Sequence, residues 1–207
     1  VLGVVTKPLV TLEQLIGVEE NNFRTPDLGK IELKGHRTNS NSHITLLTID
    51  RGAWKIKQED AINKYGTYDT KRDRMGLYFR MSNTSQTGLS LEVNDFAMSV
   101  VHESGVIVAS WSFELVKQRF QEKFGYQWIL AQAESKKEGR KEYFRYTSAI
   151  VAGAIKPEML PTYVAQRDIE LDIRMHLKTT GSVRNHGTAF RINEKKIPNV
   201  FEHIQDI

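Results

Sequence analysis

Two carboxylates and a lysine lie close together in residues 24–35. Asp27 follows a proline in a predicted turn, and Glu32 and Lys34 lie on a predicted strand over residues 29–35. Because successive side chains of a strand point to opposite faces, Glu32 and Lys34 share one face. Magnesium takes one or two protein carboxylates, and a nearby lysine can order an attacking water or offset charge on phosphorus. These residues favour metal-assisted hydrolysis of a phosphodiester.

A solvated surface pair is the alternative, because Glu-x-Lys pairs are common on exposed strands. The Pro-Asp step places a second carboxylate before the same strand, which favours a site. The alternating residues Ile31 and Leu33 are apolar and predict that the opposite face is core. We therefore expect the face with Glu32 and Lys34 to look into a cleft or solvent, and substitutions there to leave the protein folded.

Three stretches of the chain carry a resemblance to known nucleases. The pattern Pro26-Asp27-(x4)-Glu32-x-Lys34 resembles the PD-(D/E)xK signature. The short gap between Asp27 and Glu32 and the sequence Gly-x-Ile-Glu-Leu-Lys resemble those of the MvaI/BcnI restriction endonucleases and, more distantly, of the mismatch-repair nicking enzyme MutH. Residues 37–48 and the His-Gly-Thr-x-Phe-Arg segment at residues 186–191 resemble later stretches of the same family. The likeness runs from the first helix to about residue 193.

The resemblance implies a PD-(D/E)xK, MutH-like α+β fold with a mixed central sheet flanked by helices and two lobes around a DNA cleft. It implies a Mg²⁺-dependent, sequence-specific endonuclease of the type II restriction class that cuts double-stranded DNA at a short CC/GG-type pseudopalindromic site. It also implies a monomer with one active site, in the bacterial cytoplasm. A MutH-like nicking enzyme of DNA repair and a non-catalytic DNA-binding module are the alternatives.

The resemblance also assigns roles to residues of the acidic site. Asp27 and Glu32 would bind the metal, and Lys34 would complete the catalytic set. In this family a further glutamate on the N-terminal helix completes the site, and Glu13, fourteen residues before Asp27, occupies that position. A solvated helix charge is the alternative for Glu13, and Glu19 and Glu20 are its fallback candidates.

Candidate DNA contacts fall in two polar stretches, because Arg pairs bidentately with guanine while Asn, Ser and His suit base edges and phosphates. The stretch after the catalytic strand contains His36, Arg37, Asn39, Asn41 and His43. The second, a predicted glycine-containing loop over residues 181–191, contains Arg184, His186 and Arg191. An exposed strand-end histidine is the alternative for His36, and a solvated hairpin turn is the alternative for the loop. The basic runs 136–141 and 71–74 are predicted solvated turns that touch phosphates at most.

Hydrophobic periodicity predicts the elements that must position these residues. We expect helices over residues 11–18 and 112–124 and a short helix or turn over 159–165. Predicted strands are 29–35, 44–49, 76–80, 89–93, 105–111, 126–133, 142–151, 169–176 and 189–192. A charged turn is expected over residues 135–141. These elements predict a single strand-rich α+β nuclease domain over residues 1–207, with two lobes.

Composition limits the other function classes. The 207 residues include 29 Lys and Arg and 25 Asp and Glu, a net charge of +4, so any basic surface must be a local patch. The absence of cysteine excludes disulfides, thiolate zinc sites and cysteine nucleophiles. No apolar run is long enough to predict a membrane span. Because the chain starts at Val1 without a methionine, we leave open that it is part of a longer chain.

Overall fold

The computed structural model describes residues 7–18, 25–38, 40–49, 52–81, 87–139 and 141–207. The described residues form two compact units: Val1–Ile44, Gln118–Pro157 and Glu194–Ile207 contribute to unit 1, and Thr45–Lys117 and Glu158–Asn193 to unit 2. The α-helices are α1 Pro8–Ile16, α2 Gln58–Tyr65, α3 Phe113–Phe124, α4 Leu160–Ala165 and α5 Ile197–Val200. Within the described ranges, no helix combines the length and apolarity needed to cross a membrane.

In both units the described residues include more strand than helix. In chain order they are β1 Ile31–Arg37, β2 Ile44–Ile49, β3 Thr67–Asp69, β4 Arg74–Arg80, β5 Leu89–Val93, β6 Ala97–His102, β7 Ile107–Ser112, β8 Gln127–Glu138, β9 Lys141–Ala152, β10 Ile169–Leu177, β11 Val183–Ile192 and β12 Gln205–Asp206. The mixed α+β class expected from the sequence is confirmed.

Unit 1 contains a four-stranded sheet in the order β1-β8-β9-β12. Strands β1 and β8 run parallel, and the other neighbours run antiparallel, so the sheet is mixed as expected. Aromatic rings fill the core beside β8: the ring centroids of Phe124 and Trp128 lie 5.9 Å apart, and those of Trp128 and Phe201 lie 4.8 Å apart. This packing fixes the last turn of α3 against the sheet.

Helix α1 contacts β1 at Gly35. A Cβ atom added to Gly35 would lie 2.5 Å from the backbone nitrogen of Leu9, so only glycine allows the helix to come this close. On the same side, the Tyr146 hydroxyl donates a hydrogen bond to the Pro8 carbonyl at 2.5 Å. Burial raises the pKa of Tyr146 to about 12, so this hydroxyl stays a donor throughout the neutral range.

Both faces of β1 are covered, which corrects one expectation. Leu33 is buried as predicted, but Glu32, Lys34 and His36 on the other face are also only 1%, 9% and 6% exposed. The sequence pattern identifies which residues share a face, but not whether a second layer covers that face. The face with Glu32 and Lys34 therefore does not look into open solvent.

Unit 2 contains a five-stranded sheet in the order β2-β11-β10-β4-β3 and a three-stranded sheet in the order β5-β6-β7. Helices α2 and α4 lie against β10. The predicted alternation in β10 is confirmed: Ile169, Leu171 and Ile173 are buried, while the intervening residues are partly exposed. One face of this strand is therefore core and the other is polar.

The predicted loop over residues 181–191 is wrong for most of its length, because β11 begins at residue 183. Its pairing with β10 shifts between Ile173 and Met175, where residues 186–187 bulge out. Gly187 has a φ of +80°, and its N–H donates to the Asn185 side chain at 2.7 Å. The glycine thus marks a β-bulge rather than a loop.

Other boundaries differ for local reasons. Helix α1 begins at Pro8, so Thr11 lies inside the helix and donates its hydroxyl hydrogen bond back to the Lys7 carbonyl. The charged run expected to turn over residues 135–141 mostly continues β8 and β9, with the turn at Gly139. The elements α2, β3, β6, α5 and β12 were not predicted, and all of them except β6 are short or polar.

We expect Gly35→Ala to undock α1, because its new methyl group would meet backbone atoms that cannot move aside as a side chain could. The loss of unfolding free energy should be about 1–3 kcal/mol, measured by urea denaturation. Amide exchange of α1 should also rise.

Gly181→Ala is the control, since its added methyl group meets no atom and only the φ of +80° opposes it. It should leave exchange in α1 unchanged. Equal exchange of α1 in wild type and Gly35→Ala would contradict the close approach.

Candidate active site

Asp27 is held by the edge strand it precedes. Leu28 and Ile31 exchange two backbone hydrogen bonds of 2.9 Å, which closes a tight turn before β1. This turn brings Oδ2 of Asp27 within 2.9 Å of the Leu33 N–H, which donates to it. The carboxylate of Asp27 is therefore fixed beside the residue that separates Glu32 from Lys34.

Glu32 lies between two lysines. Its Oε1 atom is 2.5 Å from Nζ of Lys34 and 3.0 Å from Nζ of Lys123, which lies in the last turn of α3. The side chains of Lys34 and Lys123 are 11% and 19% exposed. The site is thus a nearly dry cluster of one carboxylate and two ammonium groups, with Asp27 alongside.

Burial shifts the pKa values of the central pair in opposite directions. Removal from water raises the pKa of Glu32, against the opposing effect of the two lysines. Burial also lowers the pKa of Lys34, and the nearby positive charge of Lys123 adds to this lowering. Both shifts make it easier to move a proton between the two groups than it would be in water.

The carboxylates of Asp27 and Glu32 fit a divalent cation. Both lysines contact Oε1 of Glu32, whereas Oε2 is buried and has no hydrogen-bond partner among the described residues. The negative charge of Asp27 acts directly on Glu32. A buried carboxylate oxygen without a partner is costly, and a hard cation held by one or two carboxylates would satisfy it.

Glu13 does not complete a set of three ligands. No group of three His, Asp or Glu residues arranged to hold a metal occurs in the part of the chain that is described. Glu13 lies on α1, is 7% exposed, and its charge acts on Tyr146 of β9. Its role in the acidic site stays a prediction, and Glu19 and Glu20 lie outside the described residues.

The predicted DNA contacts at the end of β1 and just after it divide into residues that pair within the protein and residues that are exposed. His36 is buried, with both ring nitrogens close to protein oxygens. Arg37 pairs with Glu142 of β9 through two hydrogen bonds of 3.0 and 3.2 Å. Asn41 is exposed and His43 is partly exposed, while Asn39 lies outside the described residues. Asn41, His43 and Arg37, whose side chain is 39% exposed beside Glu142, are the accessible members among the described residues of this stretch.

The polar face of the five-stranded sheet in unit 2 concentrates positive charge. We call it the basic sheet face; it comprises Arg74, Tyr78 and Arg80 of β4, Glu170, Asp172, Arg174 and His176 of β10, and Arg184, His186 and Arg191 of β11. Five arginines face two carboxylates. Such an excess on one surface suits a polyanion.

Part of this face is an ordered hydrogen-bonded group. Arg74 donates to Nε2 of His176 at 3.0 Å and to the Tyr78 hydroxyl at 2.7 Å. The rings of His176 and His186 lie 5.6 Å apart. Burial and the neighbouring arginines lower the pKa of both histidines, so they are neutral near pH 7. A neutral imidazole presents one donor and one acceptor, which suits base edges.

Arg184 and Arg191 differ in accessibility. Arg184 is exposed, whereas Arg191 pairs with Asp172 at 3.0 Å and its side chain is only 14% exposed. Arg174 also approaches Asp172, at 3.5 Å. Arg191 is therefore held in the sheet, while Arg184 and His186 project from it.

Several residues of these sites were not predicted from the sequence, among them Lys123, Arg74, Tyr78 and His176. Lys123 follows a helical pattern that identifies only the apolar side of α3, and nothing local connects it with Glu32. Arg74 lies in a run predicted to be a solvated turn, and nothing in the sequence singles out Tyr78 or His176 as site residues. Besides the contacts predicted on β11, the polar alternation of β10 is the sequence signal that marks this face.

The basic run at the β8–β9 hairpin has the exposed character expected of it. Lys136 pairs with Glu138 at 2.8 Å, and both side chains are more than half exposed. Arg140 lies outside the described residues. Nothing in this pair orients a side chain for a specific contact.

Comparisons with known proteins identify the family of this chain. The sequence matches the profile of the MvaI/BcnI restriction endonuclease family over residues 9–201. Restriction endonuclease MvaI in complex with its cognate DNA substrate is a structural neighbour with a TM-score of 0.76, 25% identity, and coverage of 95% of this chain and 85% of that one.

MvaI without DNA is a second structural neighbour, with a TM-score of 0.57, 23% identity, and coverage of 95% and 83%. A search of curated proteins found no match. Restriction endonucleases of this family generally use divalent metal ions. Since the family profile spans nearly the whole chain, the protein belongs to the MvaI/BcnI restriction endonuclease family and is a type II site-specific deoxyribonuclease.

Proposed function

We propose that this enzyme binds double-stranded DNA and cleaves it in a Mg²⁺-dependent reaction at a short CC/GG-type pseudopalindromic site. The observation that carries the proposal is the cluster of Asp27, Glu32, Lys34 and Lys123 at the edge strand β1. The MvaI structure described as a complex with cognate DNA supports DNA as the substrate.

Asp27 and Glu32 are the residues that would hold the cation. When bound, Mg²⁺ would act as a Lewis acid on the scissile phosphate and favour ionisation of the attacking water. The unpartnered Oε2 atom of Glu32 is the oxygen offered to the cation. Lys34 and Lys123 fix Glu32 through Oε1, so they orient the carboxylate without occupying that oxygen.

The two lysines also supply charge where the reaction needs it. A phosphate entering the site gains negative charge as the nucleophile adds, and Nζ of Lys34 is a preorganised cation in a nearly dry environment. Because burial lowers the pKa of Lys34, its Nζ can release a proton more readily than a solvated lysine. Lys34 is therefore the residue that we assign to proton transfer and charge stabilisation.

Specific recognition is assigned to the basic sheet face. Arg184 and His186 are exposed on β11, and the bulge at Gly187 lifts this part of the strand out of regular pairing. Arg191, ion-paired with Asp172, would hold β11 in register or contact a base edge. Asn41 and His43 are accessible for phosphates or base edges.

We expect cleavage of phage DNA with Mg²⁺ to give discrete fragments whose sequenced ends define the site and the cut position.

Calcium should support specific binding without cleavage, since it fills the same oxygen ligands with looser geometry.

Asp27→Ala, Glu32→Ala and Lys34→Ala should each reduce the rate of cleavage by roughly 10²-fold or more, because each removes a preorganised charge.

Because Glu32 and Lys34 are buried, the alanine variants also risk unfolding. Asp27→Asn, Glu32→Gln and Lys34→Met preserve side-chain size and should be equally inactive, with folding checked by circular dichroism. Glu202→Gln is the matched control, since it neutralises an exposed carboxylate of unit 1 that pairs with Lys156. Wild-type rates from a folded Glu32→Gln would exclude this strand as the active site.

We propose that the enzyme acts as a monomer with one active site. One such site cuts one strand at a time, so a supercoiled plasmid with a single recognition site should pass through an open-circular intermediate before it becomes linear. Gel electrophoresis of a time course measures this. Accumulation of the nicked form as the end product would instead support the MutH-like alternative, and direct linearisation would indicate a dimer.

Arg184→Ala and His186→Ala should relax base preference at one position each, because a base-edge contact discriminates by about 1–3 kcal/mol. The double variant Lys136→Ala/Lys137→Ala should weaken all duplexes alike and flatten the salt dependence, since phosphate contacts carry no sequence information. Affinities for cognate and singly substituted duplexes across a salt series measure both effects.

The two sets of variants control each other, because they remove positive or polar groups from different surfaces. If the hairpin variant relaxes base preference and the β11 variants lose only general affinity, the two assignments are reversed.

A further inference from the structure

His36 connects two segments that are far apart in the sequence. Its Nε2 atom lies 2.9 Å from the Ser42 carbonyl oxygen and 3.1 Å from Oγ of the same serine. Its Nδ1 atom lies 3.1 Å from a carboxylate oxygen of Glu194. His36 is 6% exposed, whereas Ser42 is exposed and the Glu194 side chain is 37% exposed, so a buried ring joins two more accessible partners within unit 1.

The partners of His36 let each ring nitrogen form a hydrogen bond. The Glu194 carboxylate can only accept, so Nδ1 donates to it, while the Ser42 hydroxyl beside Nε2 can either donate or accept. A histidine used in this way holds two partners at fixed positions on either side of its ring. Both nitrogens are therefore engaged within the protein, in contrast to the DNA contact expected from the sequence.

Glu194 is fixed from a second direction. It also accepts a hydrogen bond from the Gln132 side-chain amide, and Oε1 of Gln132 accepts one of 3.2 Å from the Ser148 hydroxyl. His36, Gln132 and Ser148 lie at paired positions on β1, β8 and β9. The network therefore crosses three strands of the sheet, next to the irregularity in β8–β9 pairing that follows Gln132.

Strand β1 does not need His36 to keep its place. It pairs with β8 along its whole length and contacts α1 at Gly35. The segment of residues 40–42 has weaker support. Apart from the contacts with His36, Ser40 and Ser42 hydrogen-bond to each other, and the Ser40 N–H donates to the Arg37 carbonyl. Among the described residues these two serines have no other hydrogen bonds.

We propose that His36 is a positioning residue that preforms the DNA-contacting segment of residues 40–43. The ring contacts Ser42 through Nε2 and Glu194 through Nδ1. Glu194 lies two residues after the end of β11. The role given to this segment rests on the proposed function, whereas the holding of the segment by His36 does not. His36 acts through Asn41 and His43 and does not itself touch DNA.

This role predicts a defect in binding rather than in chemistry. Without His36 the segment must be ordered at the moment of binding, and that cost lowers affinity. Once DNA is bound, Asp27, Glu32 and Lys34 stand where they stood before. We therefore expect the Kd for DNA to rise roughly tenfold, as for loss of a hydrogen bond to a charged group, with little change in the single-turnover rate.

Hydrogen–deuterium exchange of the free protein tests the holding role without DNA. His36→Phe fills the same space without either hydrogen bond and should raise amide exchange over residues 40–43 and 194–196. Exchange in β8 should stay as in wild type. Glu194→Gln should show a smaller rise over both segments, and this variant keeps the test available if His36→Phe fails to fold.

Anisotropy and single-turnover cleavage test the role in recognition. The probe is a duplex carrying the site mapped from the phage digest, with Ca²⁺ for binding and Mg²⁺ with saturating enzyme for cleavage. His36→Phe or Glu194→Gln should raise Kd and leave the saturated rate within about threefold of wild type. Glu202→Gln, an exposed ion-pair carboxylate in the same C-terminal segment, is the control and should change neither.

Two results would overturn the proposal: exchange over residues 40–43 that is unchanged in both variants, or a saturated rate that falls 100-fold at unchanged Kd. A wild-type enzyme that cuts no DNA would contradict the proposed function instead, because the exchange result does not depend on cleavage.

Discussion

The structure of the active site depends on a carboxylate that is almost wholly removed from water. Burying a single ionised carboxylate is very costly unless it is paired, and Glu32 meets this requirement through two lysines on one oxygen. The cluster therefore needs α3 to bring Lys123 within 3.0 Å of Glu32. The aromatic core around Phe124 and Trp128, which fixes that last helical turn, is part of the active site's support.

The same constraint explains why β1 is crowded on both faces. One face needs Gly35 so that α1 can cover it, and the other carries Glu32, Lys34 and His36 under a second layer. A strand covered on both sides moves little, which suits a site that must hold charges within tenths of an ångström. Asn41 and His43, which we assign to DNA contact, lie instead in the segment that follows the strand.

The grouping of Asp27, Glu32 and Lys34 could be predicted because it depends on local spacing, since the three residues fall within eight positions. The strand β1 and the mixed α+β class follow from local patterns in the same way. The period of two also identified the polar side of β10. Lys123 could not be predicted, since it lies 91 positions after Glu32 and only packing of α3 brings it close. The burial of His36 and the grouping of Arg74 with His176 could not be predicted either, because the pairing of distant strands has no local signature in the sequence.

The hydrogen bond from the Leu33 N–H to Asp27 has a consequence beyond catalysis. Among the described strands β1 is the edge of its sheet, and an unpaired N–H on an edge is a template for a strand from another molecule. Asp27 occupies that donor with a negative charge, so the residue to which we assign metal binding also discourages self-association. Removing this side chain would therefore uncover an edge donor as well as alter the proposed site, and a loss of solubility would accompany any loss of cutting.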